Sequence, residues 1–177
     1  AQRLDWITPF TKGFDGDFSK GDISWFKDGE LNACVNCVDR HLHDHADKTA
    51  IIWEGDAPGT SRVLTFQDLY DHVCRFANLL KDRGVKKGDR VCIYMPMIPE
   101  AAMAMLACAR IGAIHSVVFA GFSPESLKSR IDDASCRVVI TASVGKRSGK
   151  QTRLKFNVDE SLKGNSSVHS VIVVRNC

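Results

Sequence analysis

The chain has 177 residues, of which 44% are hydrophobic and 25% are charged, a composition typical of a globular rather than a disordered protein. Its 24 basic and 21 acidic residues give a net charge of +3, which is too balanced to indicate a nucleic-acid-binding or membrane-surface protein. No apolar run reaches the ~18 residues of a membrane-spanning helix, because Arg110 and His115 interrupt the longest one.

The two ends of the chain bear on whether it is part of a longer protein, and its cysteines bear on its cellular compartment. The chain begins AQRLDWITPF, with neither an initiating Met nor the apolar core of a signal peptide, and it ends in the strand-like segment VIVVRNC. We therefore expect a fragment of a longer protein. The seven cysteines are irregularly spaced and most lie within apolar patterns, which favours free thiols in a reducing compartment, the cytoplasm.

The first half of the chain mixes irregular and regular segments. Residues 1–30 are rich in glycine, aspartate and aromatic residues without a sustained period, which predicts an irregular N-terminal arm. Asn32 is a candidate cap for a helix that runs to about His43. A turn cluster, DAPGTS, separates TAIIWEG from RVLTF, and this pattern predicts a β-hairpin. Thr65 then begins a helix with a capping-box-like T-x-x-D, and Gly84 ends it.

Beyond residue 84, short apolar segments alternate with helical ones. The segments RVCIYM, AIHSVVFA, RVVITA and VHSVIVV predict strands, and helices are predicted from Pro99, from Ser123 and over 155–163. Strands that are buried on both faces and alternate with helices indicate a parallel sheet. The predicted fold class is therefore α/β, part of a doubly wound parallel sheet flanked by helices and preceded by the arm and the hairpin. Residues 31–177 would form an incomplete α/β portion of a larger domain.

Ligands of open parallel sheets bind beyond the carboxyl ends of the strands, which here are residues 96–100, 121–124 and 141–150. Gly121 would let a ligand approach the backbone beside a capped helix start, although a capped helix without a ligand is the alternative that the pattern alone favours. The segment SVGKRSGKQTRLK predicts a flexible basic loop suited to a phosphate group, although a solvated charge run is the alternative. It fits neither G-x-x-x-x-G-K-[ST] nor G-x-G-x-x-G. Its basic residues are Lys146, Arg147, Lys150, Arg153 and Lys155.

Two other kinds of site are not supported by the sequence. Cys34, Cys37, His41 and His45 lie at helical spacing, but on one helix they would extend over ~16 Å and could not converge on one metal ion. No second C-x-x-C completes such a site, so we expect no metal centre. No G-x-S-x-G nucleophile motif is present, and the apolar context of Glu100 favours a structural role.

Longer segments are more specific than these patterns. WFKDGELNACVNCVDRHL, TAIIWEGD, VCRFANLLKDRGVKKGDRVCIYMPMIPEAAMAMLACARIGAIHSVVFAGFSPESL and NVDESL together closely resemble the AMP-forming acetyl-coenzyme A synthetases of the adenylate-forming superfamily. The resemblance covers essentially the whole chain. It implies a parent ligase that converts acetate and Mg-ATP to acetyl-adenylate and pyrophosphate, and then transfers the acetyl group to coenzyme A. Coenzyme A, ATP and Mg are the implied cofactors, acetate is the implied substrate, and the remainder of the parent chain is the implied partner.

The resemblance also implies what these residues do not contain. The family holds the ATP phosphates with a loop of the type T-S-G-S-T-G-K-P-K-G and uses a late catalytic lysine, and neither occurs in this sequence. The chain corresponds to the first quarter to third of such an enzyme. We therefore expect no catalytic residue here and no activity from these residues alone.

One binding segment is implied by the resemblance. The family binds the 3′-phosphate-ADP end of coenzyme A with the pattern R-x-G-R, which here reads Arg147-Ser148-Gly149-Lys150. Lys150 keeps the charge of the second arginine but lacks its bidentate fork. A glycine pair lies near the pantetheine arm in the family, and Gly121 is the residue of that pair retained here.

Three alternatives remain open from the sequence. The chain could be a stand-alone coenzyme A- or phosphate-binding or regulatory module without catalysis. It could derive from a propionyl-coenzyme A synthetase. It could also be a folding intermediate of the N-terminal domain, which would expose unpaired strand edges.

Overall fold

The computed structural model describes residues 1–176, so Cys177, the last residue of the predicted α/β portion, lies outside the described residues. Within them, four strands form a parallel sheet and six form three antiparallel hairpins. The strands are β1 Phe14–Asp17, β2 Asp22–Trp25, β3 Thr49–Glu54, β4 Ser61–Thr65, β5 Arg90–Met95, β6 Ile114–Phe119, β7 Val138–Ala142, β8 Gly145–Arg147, β9 Lys150–Thr152 and β10 Ser170–Val174. The α-helices are α1 Ala33–Cys37, α2 Leu42–His45, α3 Phe66–Asp82, α4 Pro99–Arg110, α5 Pro124–Asp133 and α6 Leu154–Ser161.

Local capping fixes where the longer helices begin. The Thr65 hydroxyl accepts a hydrogen bond from the Asp68 N–H at 3.1 Å, and the Asp68 carboxylate accepts one from the Thr65 N–H at 2.9 Å. Ser123 caps α5 by accepting from the Ser126 N–H at 3.3 Å, with Pro124 in the first turn. The predicted starts of α3 and α5 are therefore confirmed.

The parallel sheet has the strand order β10-β7-β5-β6 and two helical layers. On one face, Val91, Ile93 and Met95 of β5 pack in a buried cluster with α3 and α4. On the other face, Cys92 and Tyr94 pack in a second cluster with α5 and α6. This alternation follows from the two-residue period of a strand. The fold class predicted from the sequence, a helix-flanked parallel sheet, is confirmed.

The single helix predicted from Asn32 to about His43 is wrong. Asn32 does cap a helix, accepting from the N–H groups of Cys34 at 2.9 Å and Val35 at 3.2 Å. The helix stops at Val38, whose φ of −127° and ψ of −66° are not helical, and a 3₁₀ turn leads into α2. Val38 is completely buried in the core, so tertiary packing overrides the helical period here.

The expectation that β6 is buried on both faces is also wrong. Among the described residues β6 is an edge strand, pairing only with β5, and Ile114, Val117 and Phe119 are 54–57% exposed. An apolar run in the sequence does not distinguish a strand that a neighbouring strand and a helix layer cover from one that they leave exposed. The arm likewise contains an element that its sequence did not predict, the short β1–β2 hairpin.

Candidate functional site

The carboxyl ends of β5, β6 and β7 lie at one edge of the sheet, where the sequence predicted a ligand site. The chain leaves β7 and forms the β8–β9 hairpin, whose first residue, Gly145, approaches the Pro96 side chain. We call the surface formed by residues 96–100, 119–122 and 146–150 the sheet-edge site. Its components come from three separate segments that only the fold brings together.

The basic segment is an antiparallel hairpin rather than the predicted flexible loop. Arg147 of β8 pairs with Lys150 of β9, and Ser148 and Gly149 form the two-residue turn between them. Both turn residues have positive φ, 53° for Ser148 and 70° for Gly149, which is the conformation of the tight primed turns that join two strands. The hairpin therefore holds two exposed cationic side chains next to each other at its tip.

The tip of this hairpin is bound to a second hairpin. One carboxylate oxygen of Asp56 accepts from the Ser148 N–H at 2.6 Å, and the other accepts from the Gly149 N–H at 2.8 Å. Asp56 lies in the turn between β3 and β4. The β3–β4 hairpin also contacts residues 96–100, because the Trp53 indole N–H donates to the Met97 carbonyl at 2.7 Å.

Gly121 and Arg147 both contact the ring of Phe119. A Cβ placed on Gly121 would lie 2.4 Å from Cε1 of Phe119, so a larger residue would have to displace the ring. The Arg147 guanidinium carbon lies 5.7 Å from the centre of the same ring, within cation–π range. The structure thus joins two of the predicted site residues through an aromatic side chain that is 55% exposed.

Buried Tyr94 fixes the loop that contains Gly121. Its hydroxyl lies 2.8 Å from the Phe122 carbonyl and 3.0 Å from the Ala120 carbonyl, the two acceptors on either side of Gly121. The Asn157 side-chain amide on α6 donates to the same hydroxyl at 3.1 Å. Burial raises the pKa of Tyr94, while the hydrogen bond from Asn157 opposes that rise. The hydroxyl therefore stays protonated as the donor to the loop.

Other basic residues of the segment point elsewhere. The Lys155 ammonium group bonds to the Asp159 carboxylate at 2.5 and 2.7 Å along α6, and Arg153 lies 4.9 Å from the ring centre of Phe156. Of the five basic residues in the predicted phosphate segment, Lys146, Arg147 and Lys150 belong to the hairpin. The cationic part of the site is thus smaller than the sequence indicated.

Glu100 has a structural role, as expected. Its carboxylate forms an ion pair with Arg62 of β4 at 2.6 Å. At the other end of α4, Arg110 forms an ion pair with Asp39 and lies 5.1 Å from the ring centre of Tyr70. Both pairs connect separate elements; Glu100 lies within the sheet-edge site and Arg110 lies outside it.

Within residues 1–176, no three His, Cys, Asp or Glu side chains are close enough together to hold a metal ion. The rings of His41 and His45 stack with centres 6.3 Å apart. The six cysteines in this part of the chain are free thiols, and four of them are buried. No helix in the described chain has the length and apolar character needed to cross a membrane.

Sequence reasoning missed three residues of the site, namely Asp56, Tyr94 and Phe119. Asp56 and Tyr94 bond to backbone groups far away in the chain, 92 and 26 residues along, and no local pattern indicates such pairs. Phe119 had a usable signal, because a large aromatic residue at the carboxyl end of a strand, two residues before a glycine, is well placed to line a site at that edge.

We predict that Tyr94→Phe lowers the free energy of unfolding by about 1–2 kcal/mol, because it leaves the loop carbonyls and the Asn157 amide without their shared partner. Urea titration measures this change. Tyr70→Phe is the matched control, since Tyr70 is only partly buried, and we expect a change below about 0.5 kcal/mol there. Equal effects of the two substitutions would contradict a specific role for the Tyr94 hydroxyl.

Comparisons with known proteins give two family matches and a consistent group of relatives. Residues 38–176 match the family model described as AMP-binding enzyme, and residues 1–37 match the model described as acetyl-coenzyme A synthetase N-terminus. Acetyl-coenzyme A synthetase of Parvibaculum lavamentivorans is 61% identical over 98% of this chain. Acetyl-coenzyme A synthetase 2 of Pseudomonas aeruginosa and acetyl-coenzyme A synthetase of Saccharophagus degradans are each 59% identical over 97% of it. The chain spans 26–27% of the length of these curated relatives.

Proposed function

Because the chain belongs to the family of AMP-binding enzymes, we propose that it is the N-terminal portion of an AMP-forming acetate–CoA ligase, and that its sheet-edge site binds the phosphate-bearing end of coenzyme A. In the first reaction of such an enzyme, an acetate oxygen attacks the α-phosphorus of ATP and pyrophosphate leaves. In the second, the coenzyme A sulfur attacks the acetyl carbon and AMP leaves. The free thiols of this chain fit the reducing cytoplasm as the compartment.

The observation that supports this assignment is the convergence of Arg147, Phe119 and Gly121 at the carboxyl edge of the sheet. The Arg147 guanidinium and the Lys150 ammonium are exposed and adjacent, and these groups pair with phosphate oxygens. The exposed Phe119 ring offers an apolar face beside them. Gly121, which lacks a side chain, leaves room for the ring and for the thin pantetheine arm.

We do not assign ATP or Mg to the residues described here. The residues at the sheet edge include neither the Ser/Thr/Gly-rich phosphate loop nor an acidic cluster that would fit Mg-ATP. The adenylation step would therefore be carried out by other residues of the parent protein. The described residues would contribute the coenzyme A phosphate contacts and part of the supporting sheet.

The test uses the intact protein that contains these residues. Acetate-dependent exchange of labelled pyrophosphate into ATP reports the first reaction, and coenzyme A-dependent release of AMP reports the second. We expect both, with acetate preferred over propionate. Preference for propionate would reassign the substrate, and coenzyme A binding without exchange would favour the stand-alone binding module.

Lys150 gives a prediction specific to this chain. We expect Lys150→Arg to tighten coenzyme A binding about threefold, since a guanidinium can pair with two phosphate oxygens where an ammonium acts as a point charge. Isothermal titration calorimetry measures the Kd, and Lys81→Arg, at an exposed lysine near the end of α3 and outside the site, is the matched control. Unchanged or weaker binding would mean that the compact ammonium group fits this site better than the fork.

A further inference from the structure

The tip of the basic hairpin is a preformed anion site that the protein fills with its own carboxylate. Successive backbone N–H groups at two residues of positive φ converge on one side of the chain, and such a pair binds anions. The Asp56 carboxylate accepts from both, at 2.6 Å from the Ser148 nitrogen and 2.8 Å from the Gly149 nitrogen. Each oxygen takes one N–H, so the turn and the carboxylate are held in a fixed relative orientation.

The hairpin needs such support because it is short and exposed. It has three residue pairs, and five of its six strand residues are exposed. Two-stranded hairpins of this size are marginal by themselves in water. Ser148 adds a local cost, since a residue with a Cβ is disfavoured at a φ of 53°.

Asp56 is itself held by a stable frame. It follows β3, and the turn that contains it is closed by a hydrogen bond from the Gly55 N–H to the Thr60 carbonyl at 2.7 Å. The neighbouring Trp53 donates to the Met97 carbonyl, which belongs to the loop after the central strand β5. The Asp56 carboxylate therefore connects the hairpin tip to the sheet, at a sequence distance of 92 residues.

Because Asp56 is negatively charged, the direction in which its removal changes phosphate binding tests its role. An acidic group near Arg147 and Lys150 repels a bound phosphate, so electrostatics alone predicts that its removal strengthens phosphate binding. If the carboxylate instead orders the turn that presents the two cations, its removal weakens binding. The two readings predict opposite changes from the same substitution.

We propose that Asp56 is a positioning residue for coenzyme A binding: its carboxylate holds the Ser148–Gly149 turn so that Arg147 and Lys150 face the phosphates together. This inference rests on the proposed function and extends it to a residue of another hairpin. Asp56 acts through the turn and does not itself contact coenzyme A.

The experiment compares Asp56→Ala with the wild type in the intact protein. We expect the Kd and the KM for coenzyme A to rise about five- to tenfold, as ordering of the two cations is lost. Acetate-dependent pyrophosphate exchange should not change, because coenzyme A takes no part in it. The preference for coenzyme A over 3′-dephospho-coenzyme A should fall. Asp82→Ala, which removes an exposed acidic group at the end of α3, is the matched charge control and should leave the Kd unchanged.

A second variant tests the turn directly. Asn-Gly is the preferred pair for a primed two-residue turn, so Ser148→Asn should stabilise the same backbone without Asp56. We expect the double variant Asp56→Ala/Ser148→Asn to recover most of the lost coenzyme A affinity. This rescue also identifies positioning if Asp56→Ala alone folds poorly.

Arg147→Ala separates this inference from the proposed function. If Arg147→Ala weakens coenzyme A binding while Asp56→Ala leaves it unchanged or tightens it, the positioning role is wrong and the proposed site stands. If Arg147→Ala also has no effect, the coenzyme A site itself is wrong. Weakening by both variants, with rescue by Ser148→Asn, supports the positioning role.

Discussion

Raising the pH from 9 to 12 will lower the free energy of unfolding by about 3 kcal/mol through Cys108 alone. Cys108 is completely buried on α4, and burial raises the pKa of its thiol from an ordinary 9.0 to about 12. Above pH 9 the unfolded chain releases this proton while the folded chain retains it. The stabilisation is therefore fully present below pH 9 and is lost progressively up to pH 12. A domain whose free energy of unfolding is about 5–15 kcal/mol would lose a large part of its stability.

Cys108→Ala isolates this contribution from those of other alkaline groups. Because the substitution removes the titrating thiol, the slope of the free energy of unfolding against pH should become shallower between pH 9 and 12, by up to about 1.4 kcal/mol per pH unit near the middle of that interval. Urea titrations at several pH values measure the slope. Val117→Ala, at an exposed residue that does not titrate, is the control and should leave the slope unchanged. Parallel curves for Cys108→Ala and the wild type would contradict the prediction.

The elements that the sequence predicted correctly have local causes. Thr65 and Asp68 cap each other three residues apart, and Ser123 caps α5 beside Pro124. Strands β5 and β7 are short apolar runs whose residues are almost all buried in the structure. In each case the residues that determine the element lie within one or two turns of it, so the sequence pattern is sufficient.

The errors involve contacts that are distant in sequence. Val38 interrupts a regular helical pattern because the core requires its side chain, and β6 is an edge because no strand in the described part of the chain lies beyond it. Both depend on the position of the segment in the sheet. No local period specifies that position.

In the candidate site, too, some features could be predicted from the sequence and others depend on contacts that are distant in sequence. The rule for open parallel sheets located Gly121 and the Arg147–Lys150 segment at one edge, and the structure brings them together there through Phe119. The order of the hairpin could not be predicted, since it depends on Asp56, which is distant in sequence and outside any motif. Its sequence alone therefore suggested a flexible loop.

Arg147→Ala should weaken coenzyme A binding by about 10- to 100-fold in the intact protein, because a hydrogen-bonded charge pair contributes roughly 1.5–3 kcal/mol. Arg147 is exposed at the hairpin tip, so the substitution should leave folding essentially unchanged. If Arg147 binds the 3′-phosphate as proposed, the effect should be confined to that phosphate. Binding of 3′-dephospho-coenzyme A should therefore change about threefold or less, and acetate-dependent pyrophosphate exchange should be retained.

The matched control for Arg147→Ala is Arg137→Ala. Arg137 is also exposed, but it precedes β7 and lies at the opposite edge of the sheet. Its guanidinium forms an ion pair with the Asp89 carboxylate at 3.7 Å. Its removal should not alter the Kd for coenzyme A. If the two variants weakened binding equally, the effect would come from net charge. If Arg147→Ala weakened coenzyme A and its dephospho form equally, Arg147 would contact another part of the ligand. Loss confined to the phosphorylated form would assign Arg147 to the terminal phosphate, and the neighbouring Lys150 on the same hairpin would then be the group to modify for tighter binding.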